Sequence, residues 1–166
     1  MKIRIVILLA LIAQSVMAQR VGSSPEYIKA LTSEWKGERF ADGRPKVSDA
    51  ILARLKNISM EEAWGVLRNK GYHNQYEGNW DILLPDSAMT GRVVTAQYIP
   101  LRPDLQNYVK EQGKLENRAQ KGGTNSWPID VLTPGDVYVA DSYGKMAGGT
   151  LIGDNLGNSI YAKSQR

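Results

Sequence analysis

Residues 133–166 read TPGDVYVADSYGKMAGGTLIGDNLGNSIYAKSQR, and this stretch decides the predicted fold. Pro134 and Gly135 predict a turn, and the run DVYVAD after them predicts a buried strand that ends at Asp141. A helix is predicted to follow, so the stretch has the strand-then-helix order typical of an α/β sheet. Polar groups at the ends of such strands are candidates for binding.

The second half of the stretch predicts a helix that starts directly after glycine-rich sequence. Three glycines come before it: Gly148, Gly149 and Gly153. Three of its residues are expected to face inward: Leu156, Ile160 and Tyr161. The first N–H groups of a helix lack partners within it, and the helix dipole attracts a carboxylate or phosphate to this end. The helix start is therefore a candidate anion-binding site.

Asp154 stands at that helix start, and two roles are open for it. An aspartate here is most often an N-cap, which stabilises a protein by about 0.5–2 kcal/mol. The same carboxylate is also suited to act as a catalytic acid beside a bound anion. Residue spacing favours the cap, and the catalytic role stays open.

Upstream, the pattern predicts further strands and helices. WDILLP (80–85) and GRVVTAQYI (91–99) predict strands, because β-branched residues favour extended backbone. RPDLQNYVKEQGKLENRA (102–119) predicts a helix with Pro103 at its first position. A short helix is predicted over residues 127–132. Strands that alternate with helices predict an α/β fold.

The front of the chain predicts a helical pair. SDAILARLKNI (48–58) has Ser48 as its expected N-cap and apolar residues at helical spacing. In the next segment Ser59 and Glu62 have the spacing of a capping box, and Gly71 is a natural residue to follow the helix end. We therefore expect two helices, or one kinked helix, before the sheet.

The first eighteen residues predict a secretory signal peptide. MKIR supplies a positive start, IVILLALIA a short apolar run and QSVMA a small-residue cleavage site. The apolar run is too short to cross the ~30 Å hydrocarbon core, which needs roughly twenty residues. We expect cleavage after Ala18, export to the periplasm or the medium, and no membrane contact afterwards.

Composition excludes several classes of function. The 166 residues are 42% apolar and 23% charged, which is typical of one globular domain. The formal net charge of +4 falls by two when Lys2 and Arg4 are removed, and the basic residues are scattered, so we expect no nucleic-acid partner. The absence of cysteine excludes disulfides, thiolate catalysis and Cys–zinc sites.

Two motifs give the chain a family resemblance. PGDVYVADSYG (134–144), followed by GGTLIGDNLGNSIYAKS (148–164), resembles the RraA-like family, which includes 4-hydroxy-4-methyl-2-oxoglutarate aldolases and regulators of ribonuclease activity. GRVVTAQYIPLRPD (91–104) is similar to the family's early Gly-x-Ala-x-Thr strand, with Val94 at the small-residue position. Residues 33–78 resemble an N-terminal form found in larger, exported members.

The resemblance implies a fold and an organisation. The expected fold is α/β, a swivelling β/β/α domain that is incomplete here and is preceded by an N-terminal helical segment. The expected parts are a signal peptide (1–18), an N-terminal extension with the helical pair (19–78) and the N-terminal part of the RraA-like domain (79–166). Family members assemble as trimers or larger rings with sites between subunits.

The resemblance also implies a chemistry. Aldolases of the family cleave 4-hydroxy-2-oxo acids through a pyruvate enolate with a divalent metal, Mg²⁺ or Mn²⁺. Asp154 would then hold or activate a metal-bound water for proton transfer. The turn at Gly153 and the amides of Asn155 and Leu156 would bind the pyruvyl carboxylate. An enolate needs a cation and fixed dipoles where its negative charge develops.

One part of the family pattern has no match in this sequence. The family places an Arg-Asp pair beyond the turn acid, with the Arg on the substrate and the Asp on the metal, and the corresponding positions fall past Arg166. We therefore expect a truncated copy, no complete metal site, apolar surface open to water, and no turnover by this chain alone. The alternative function is a non-catalytic binding or regulatory protein of the same family.

Other polar residues carry weaker hypotheses. His73, the only histidine, has no partner at metal-ligand spacing and is expected at the surface. Trp127 is expected in the core or an interface, with a pocket wall as the alternative. Asp141 has equal claims to supporting the site and to a plain turn. Ser126 and Ser142 have no histidine base, which argues against a serine hydrolase.

Overall fold

The computed structural model describes residues 21–118, 123–144 and 151–166. The predicted signal peptide and the glycines at 148 and 149 lie outside these ranges. In chain order the described residues form α1 (Pro25–Leu31), α2 (Asp49–Leu55), α3 (Met60–Asn69), β1 (Arg92–Gln97), α4 (Pro103–Leu115), a 3-10 turn (Thr124–Ser126), α5 (Trp127–Asp130), β2 (Asp136–Asp141) and α6 (Asp154–Ser164). Within these ranges no helix has the length and apolar character needed to span a bilayer.

The predicted helical pair is confirmed, together with its caps. The Ser48 hydroxyl accepts the Ile51 amide at the start of α2. At the start of α3 the Ser59 hydroxyl accepts the Glu62 amide at 3.1 Å, and the Glu62 carboxylate accepts the Ser59 amide at 2.8 Å. Gly71 follows the end of α3 with a φ of +87°. A further helix, α1, was not predicted.

The apolar sides of α2 and α3 are largely unpacked. Leu52 is 3% exposed and is the only buried residue of α2, and α3 has none. Large apolar residues of both helices remain open to water: Ile51, Leu55, Val66 and Leu67. The caps therefore stabilise the first turns of these helices, while the tertiary packing that usually stabilises such short helices contributes little among the described residues.

The two strands pair in parallel. The register runs from Arg92 opposite Asp136 to Gln97 opposite Asp141. A parallel pair requires a crossover between its strands, and the segment containing α4 and α5 supplies it. The predicted α/β class and the predicted strands at GRVVTAQYI and DVYVAD are confirmed. The turn before β2 is confirmed as well, with Gly135 at a φ of +89°.

The predicted strand at WDILLP (80–85) is wrong. The structure gives these residues no strand pairing, and their apolar side chains face water. Strand propensity reflects the fit of a side chain to a pleated, half-buried surface, so it has no effect where no partner strand lies alongside. The composition of this segment is that of a strand, but no strand of the described residues pairs with it.

The core lies on one face of the sheet. Val94 of β1 packs with Ile129 and Leu132, and Tyr138, Leu156 and Ile160 pack against this cluster. Helices α5 and α6 therefore cover the same face. The inward orientation predicted for Leu156 and Ile160 is confirmed. The prediction for Tyr161 is wrong, since it is 69% exposed on the outer side of α6.

The strand β2 is less buried than predicted. Only Asp136 is buried along it, Val139 is exposed, and Asp141 is exposed at its end. The cause is that helices cover one face of the sheet while alternate residues of the strand point to the other face. The residues between Asp136 and Asp141 are all apolar except for the Tyr138 hydroxyl, so the sequence predicts a buried strand. Alternate side chains nevertheless point away from the helices.

Helix α4 is confirmed, with Pro103 at its first position. It contacts the rest of the molecule through Gly113, which is buried against the Trp127 ring. A Cβ atom at position 113 would lie 2.1 Å from Cη2 of Trp127, so glycine is required by this close approach. Trp127 is itself buried, which confirms the prediction of a core position.

A buried ionic cluster joins the N-terminal segment to the sheet. Asp136 has no exposed surface, and its carboxylate accepts hydrogen bonds from Arg44 at 3.3 and 3.4 Å and from the Thr133 amide at 2.8 Å. Arg92 lies alongside, 3.5 Å from the same carboxylate. Both guanidinium groups lie over the Phe40 ring. The extension and the α/β part are thus held together at the start of β2.

Candidate functional site

The start of α6 lies toward the carboxyl end of the sheet. The Ser164 carbonyl at the other end of the helix accepts the Gly135 amide at 2.8 Å, just before β2. The helix therefore runs back along β2 in the opposite direction. Its 11 residues span about 16 Å at 1.5 Å per residue, and Leu156 in its first turn packs against the core cluster that contains Val94, so its start lies away from the beginning of β2. Ligands of open α/β sheets bind outside the carboxyl edge.

Asp154 is not the N-cap of α6, which corrects one of its two predicted roles. Gly153 occupies the N-cap position, and Asp154 is the first helical residue. Its side chain is exposed, and Oδ1 accepts the amide of Asn155 at 2.8 Å. A glycine N-cap has no side chain to accept an amide, so the carboxylate of the next residue takes up one of the free N–H groups.

The two predicted substrate-binding amides differ in whether they already donate a hydrogen bond. The Asn155 amide is bonded to Asp154, so an incoming carboxylate has to displace that side chain. The Leu156 amide has no acceptor in the described part of the chain, and the next bond is from Gly157 to the Gly153 carbonyl at 2.9 Å. Gly153, Asp154 and Asn155 are exposed, and Leu156 is half-buried. One N–H group of the pair is thus available.

Asp141 forms a turn at the same edge. Its Oδ1 accepts the Tyr143 amide at 2.9 Å, and Tyr143 has a φ of +51°. The Asp141 carbonyl accepts the amide of Tyr98 at 2.9 Å, which extends the pairing one residue past β1. Of the two predicted roles of Asp141, the structure gives it the turn.

A tyrosine pair lies under the carboxyl half of the sheet, and sequence analysis missed it. The Tyr98 hydroxyl donates to the Asn125 carbonyl at 3.0 Å, and the Tyr138 hydroxyl, 2.6 Å away, donates to the Tyr98 oxygen. Burial, followed by the hydrogen bond to Tyr98, raises the pKa of Tyr138 above its usual value. No sequence signal joins these residues: Tyr138 lies opposite Val94, and Tyr98 lies four residues further along the chain, so the two hydroxyls meet only in the folded molecule.

The carboxylates of the chain do not gather into a metal site. All seventeen Asp and Glu residues and the single histidine lie in the described ranges. No group of three or more of them is close enough to hold a metal ion. His73 is exposed on the turn after α3, as predicted. The donor set of the described residues therefore does not fit the divalent metal that the family resemblance implies.

Two cavities open elsewhere on the molecule. The smaller, of about 460 Å³, lies beside Phe40, Asp49 and Pro134. The larger, of about 1090 Å³, runs along β1. Neither is lined by residues 153–156. The start of α6 is therefore an exposed surface that belongs to neither cavity.

No protein-family model, curated protein or solved structure matches this chain. The resemblance to the RraA-like family rests on the sequence motifs alone. What the geometry adds is the position of those motifs, since Pro134-Gly135 forms the turn before β2 and the Gly153–Leu156 turn opens α6.

Proposed function

We propose that the chain is an RraA-like protein that binds a small oxo acid at the start of α6, as part of a metal-dependent lyase site. The observation that carries the proposal is the Leu156 amide at the first turn of α6, which has no acceptor among the described residues and lies beside Asp154, toward the carboxyl edge of a parallel strand pair. The coarse α/β architecture is compatible with a swivelling β/β/α domain.

The binding step uses the chain's own groups. A substrate carboxylate accepts the Leu156 amide, displaces the Asp154 side chain from Asn155 and accepts that amide as well. The partial positive charge at the helix start favours the bound anion by about 0.3–1 kcal/mol at an exposed site. Asp154 then stands beside a second negative charge, and repulsion between the two weakens binding until a cation is present.

The proposal assigns this chain the oxo-acid-binding half of the site. The described residues contain no set of metal ligands, so groups other than these would have to hold Mg²⁺ or Mn²⁺. The family's Arg-Asp pair would provide such groups. Assembly into a trimer or larger ring, and export, belong to the same proposal.

A second candidate is a non-catalytic binding or regulatory protein of the same family. The observation that favours it is the 2.8 Å bond between Asp154 and the Asn155 amide, which occupies part of the candidate site. The absence of a metal-ligand group in the described residues favours it too. In this function the carboxyl edge binds no oxo acid.

Amide chemical shifts distinguish oxo-acid binding from the non-catalytic regulatory function. Pyruvate is titrated into the ¹⁵N-labelled protein in metal-free buffer, with acetate as a plain carboxylate for comparison. The amides of Asn155 and Leu156 are expected to shift most. Asp154→Asn is expected to tighten pyruvate binding a few-fold, since it removes the neighbouring negative charge. Asp104→Asn, in the exposed first turn of α4, is the matched control and leaves binding unchanged.

Two results decide against oxo-acid binding. If pyruvate at high millimolar concentration changes the chemical shift of neither amide, the start of α6 binds no oxo acid. The non-catalytic regulatory function is then the better account of the protein. If Asp154→Asn and Asp104→Asn change binding equally, net charge and not the turn is responsible.

A further inference from the structure

The first described residue, Val21, is attached to the far end of α4. Its amide donates to Oε1 of Glu116, the residue that follows α4, at 2.8 Å and across 95 residues of sequence. Val21 is 37% exposed, so this attachment lies at the surface of the molecule. The backbone near the start of the chain is therefore held by a single side chain from a distant helix end.

Glu116 connects this attachment to the core. Its Oε2 accepts Nε of Arg118 at 2.9 Å, and the Arg118 guanidinium lies over the Trp127 ring, 5.9 Å from its centroid. Trp127 is buried, and Gly113 of α4 packs on it. Loss of Val21 would remove the donor to Oε1 of Glu116, at the outer end of this series of contacts.

Signal-peptide cleavage brings the end of the chain close to Val21. Cleavage after Ala18 makes Gln19 the first residue of the mature chain, and Val21 is then the third. Aminopeptidases remove residues one at a time from a free α-amine, and proteolysis concentrates at chain ends. Removal of three residues would therefore be enough to take away the attachment to Glu116.

A glutamine at the N-terminus has the groups needed to block itself. Gln19 lies outside the described residues, and its reaction follows from covalent chemistry alone. The neutral α-amine attacks Cδ of its own side chain and forms an N–Cδ bond in a five-membered ring. The bond from Cδ to the amide nitrogen breaks, and ammonia leaves with the proton that the amine gives up. No oxidant, reductant or second reactant is needed.

The product is a pyroglutamyl residue. Its ring nitrogen belongs to a lactam, so it carries no charge and is no longer a free amine. The N-terminal amine is a weaker base than lysine, and a share of it is therefore neutral and nucleophilic near neutral pH. Aminopeptidases that need a free α-amine have no starting point on the cyclised chain.

We propose that Gln19 becomes the N-terminal residue on export and cyclises to pyroglutamate, which protects the attachment of Val21 to Glu116 from aminopeptidases. Gln19 is thus a modification site, and the cyclised residue is a cap placed two residues before the anchored one. The proposal rests on the export named in the proposed function and not on oxo-acid binding.

Intact mass and N-terminal sequencing test the modification. The full chain is produced with its own first eighteen residues and recovered from the periplasm or the medium. We expect residues 19–166 at a mass lower by one ammonia than the unmodified sequence. Edman degradation should give no residue until pyroglutamyl aminopeptidase has removed the first one, and should then read Arg20, Val21 and Gly22.

The mass also separates the ways in which the proposal can fail. A chain cut after Ala18 whose Gln19 keeps its amine overturns cyclisation and leaves export intact. A chain that keeps residues 1–18, or one cut at another bond, overturns the proposal together with this part of the proposed function. Gln19→Asn is the matched control: it keeps the side-chain amide, but its ring would be four-membered and strained, so it should keep its amine and its full mass.

Digestion with a broad-specificity aminopeptidase tests the protective role. The natural protein is expected to keep Val21, whereas Gln19→Asn is expected to lose it, as read from the intact masses. If the Gln19→Asn protein also keeps Val21, the bond to Glu116 stops the enzyme without help and the protective role is overturned. If the natural protein loses Val21 as fast as Gln19→Asn does, no cap is present.

Discussion

The Arg44 guanidinium binds the Asp136 carboxylate across 92 residues of sequence, at 3.3 and 3.4 Å, and Asp136 has no exposed surface. Burial alone would lower the pKa of Arg44, but hydrogen bonds and charge from Asp42 and Asp136 outweigh it, and the pKa is raised. This pair, with Arg92, fixes the N-terminal segment to the start of β2.

Asp136→Ala is expected to destabilise the protein by about 3–5 kcal/mol, because it leaves Arg44 and Arg92 partly buried without their shared acid. Urea denaturation followed by circular dichroism measures the loss. Asp49→Ala is the control: Asp49 also binds Arg92, at 2.9 Å, but is 81% exposed, and its removal should cost about 1 kcal/mol or less. Equal losses would show that the cluster at Asp136 is not the main attachment.

Tyr138 is expected to make the protein less stable at high pH. Its pKa is raised in the folded state by burial and by Tyr98, so above the ordinary value near 10 the unfolded chain loses this proton while the folded chain keeps it. The unfolded state then binds fewer protons, and stability falls as pH rises from about 10 toward the folded pKa.

Urea denaturation between pH 8 and 11 measures this effect, about the range in which the unfolded phenol titrates. Tyr138→Phe removes the titrating group and should give a shallower loss of stability above pH 10. At pH 8 the same substitution should cost about 0.5–1.5 kcal/mol, the net value of one hydrogen bond. An unchanged alkaline slope would show that the Tyr138 phenol is readily ionised in the folded protein.

Gly113→Ala is expected to destabilise the protein by about 1–3 kcal/mol, since the new methyl group would lie 2.1 Å from the Trp127 ring. Gly65→Ala is the matched control in α3, where nothing lies within 4 Å, and it should stabilise by about 0.5–1 kcal/mol through helix propensity. Thermal unfolding of both variants compares them. If both substitutions stabilise, α4 does not pack on Trp127.

The chain by itself is expected to release no pyruvate from 4-hydroxy-4-methyl-2-oxoglutarate with Mg²⁺ or Mn²⁺. The reason is that no group of three possible metal ligands exists in the described ranges, which contain every Asp, Glu and His. A lactate dehydrogenase-coupled assay measures the pyruvate. Turnover that disappears in Asp154→Ala would contradict this expectation and make Asp154 a catalytic residue.

Local signals predicted local structure well. The capping box of Ser59 and Glu62 and the first position of Pro103 depend on residues within one helical turn, and all were confirmed. The prediction of a strand at WDILLP was wrong, because a strand needs a partner strand and local composition does not specify one. The prediction that Tyr161 faces inward was wrong, because only a narrow side of α6 packs on the sheet and Tyr161 lies on the side that faces water.

The candidate site was predicted in part. The sequence located the helix start and favoured Asp154 as its cap while leaving a catalytic role open, whereas the structure gives the cap to Gly153 and turns the Asp154 carboxylate onto the Asn155 amide. Which of two adjacent residues becomes the cap depends on backbone angles at the helix start. Those angles are a property of the folded chain, in which Gly153 is extended, and residue spacing does not reveal them.

The sequence by itself determined both strands and most of the helices, since capping, periodicity and turn residues act over a few neighbours, but it also predicted a strand at WDILLP that does not form and missed α1. Only the tertiary structure decided that Arg44 meets Asp136, that Tyr98 meets Tyr138, and that no strand of the described residues pairs with the outer edge of β1. These relationships join residues far apart in the chain. They arise from strand register and from burial, which are properties of the packed molecule.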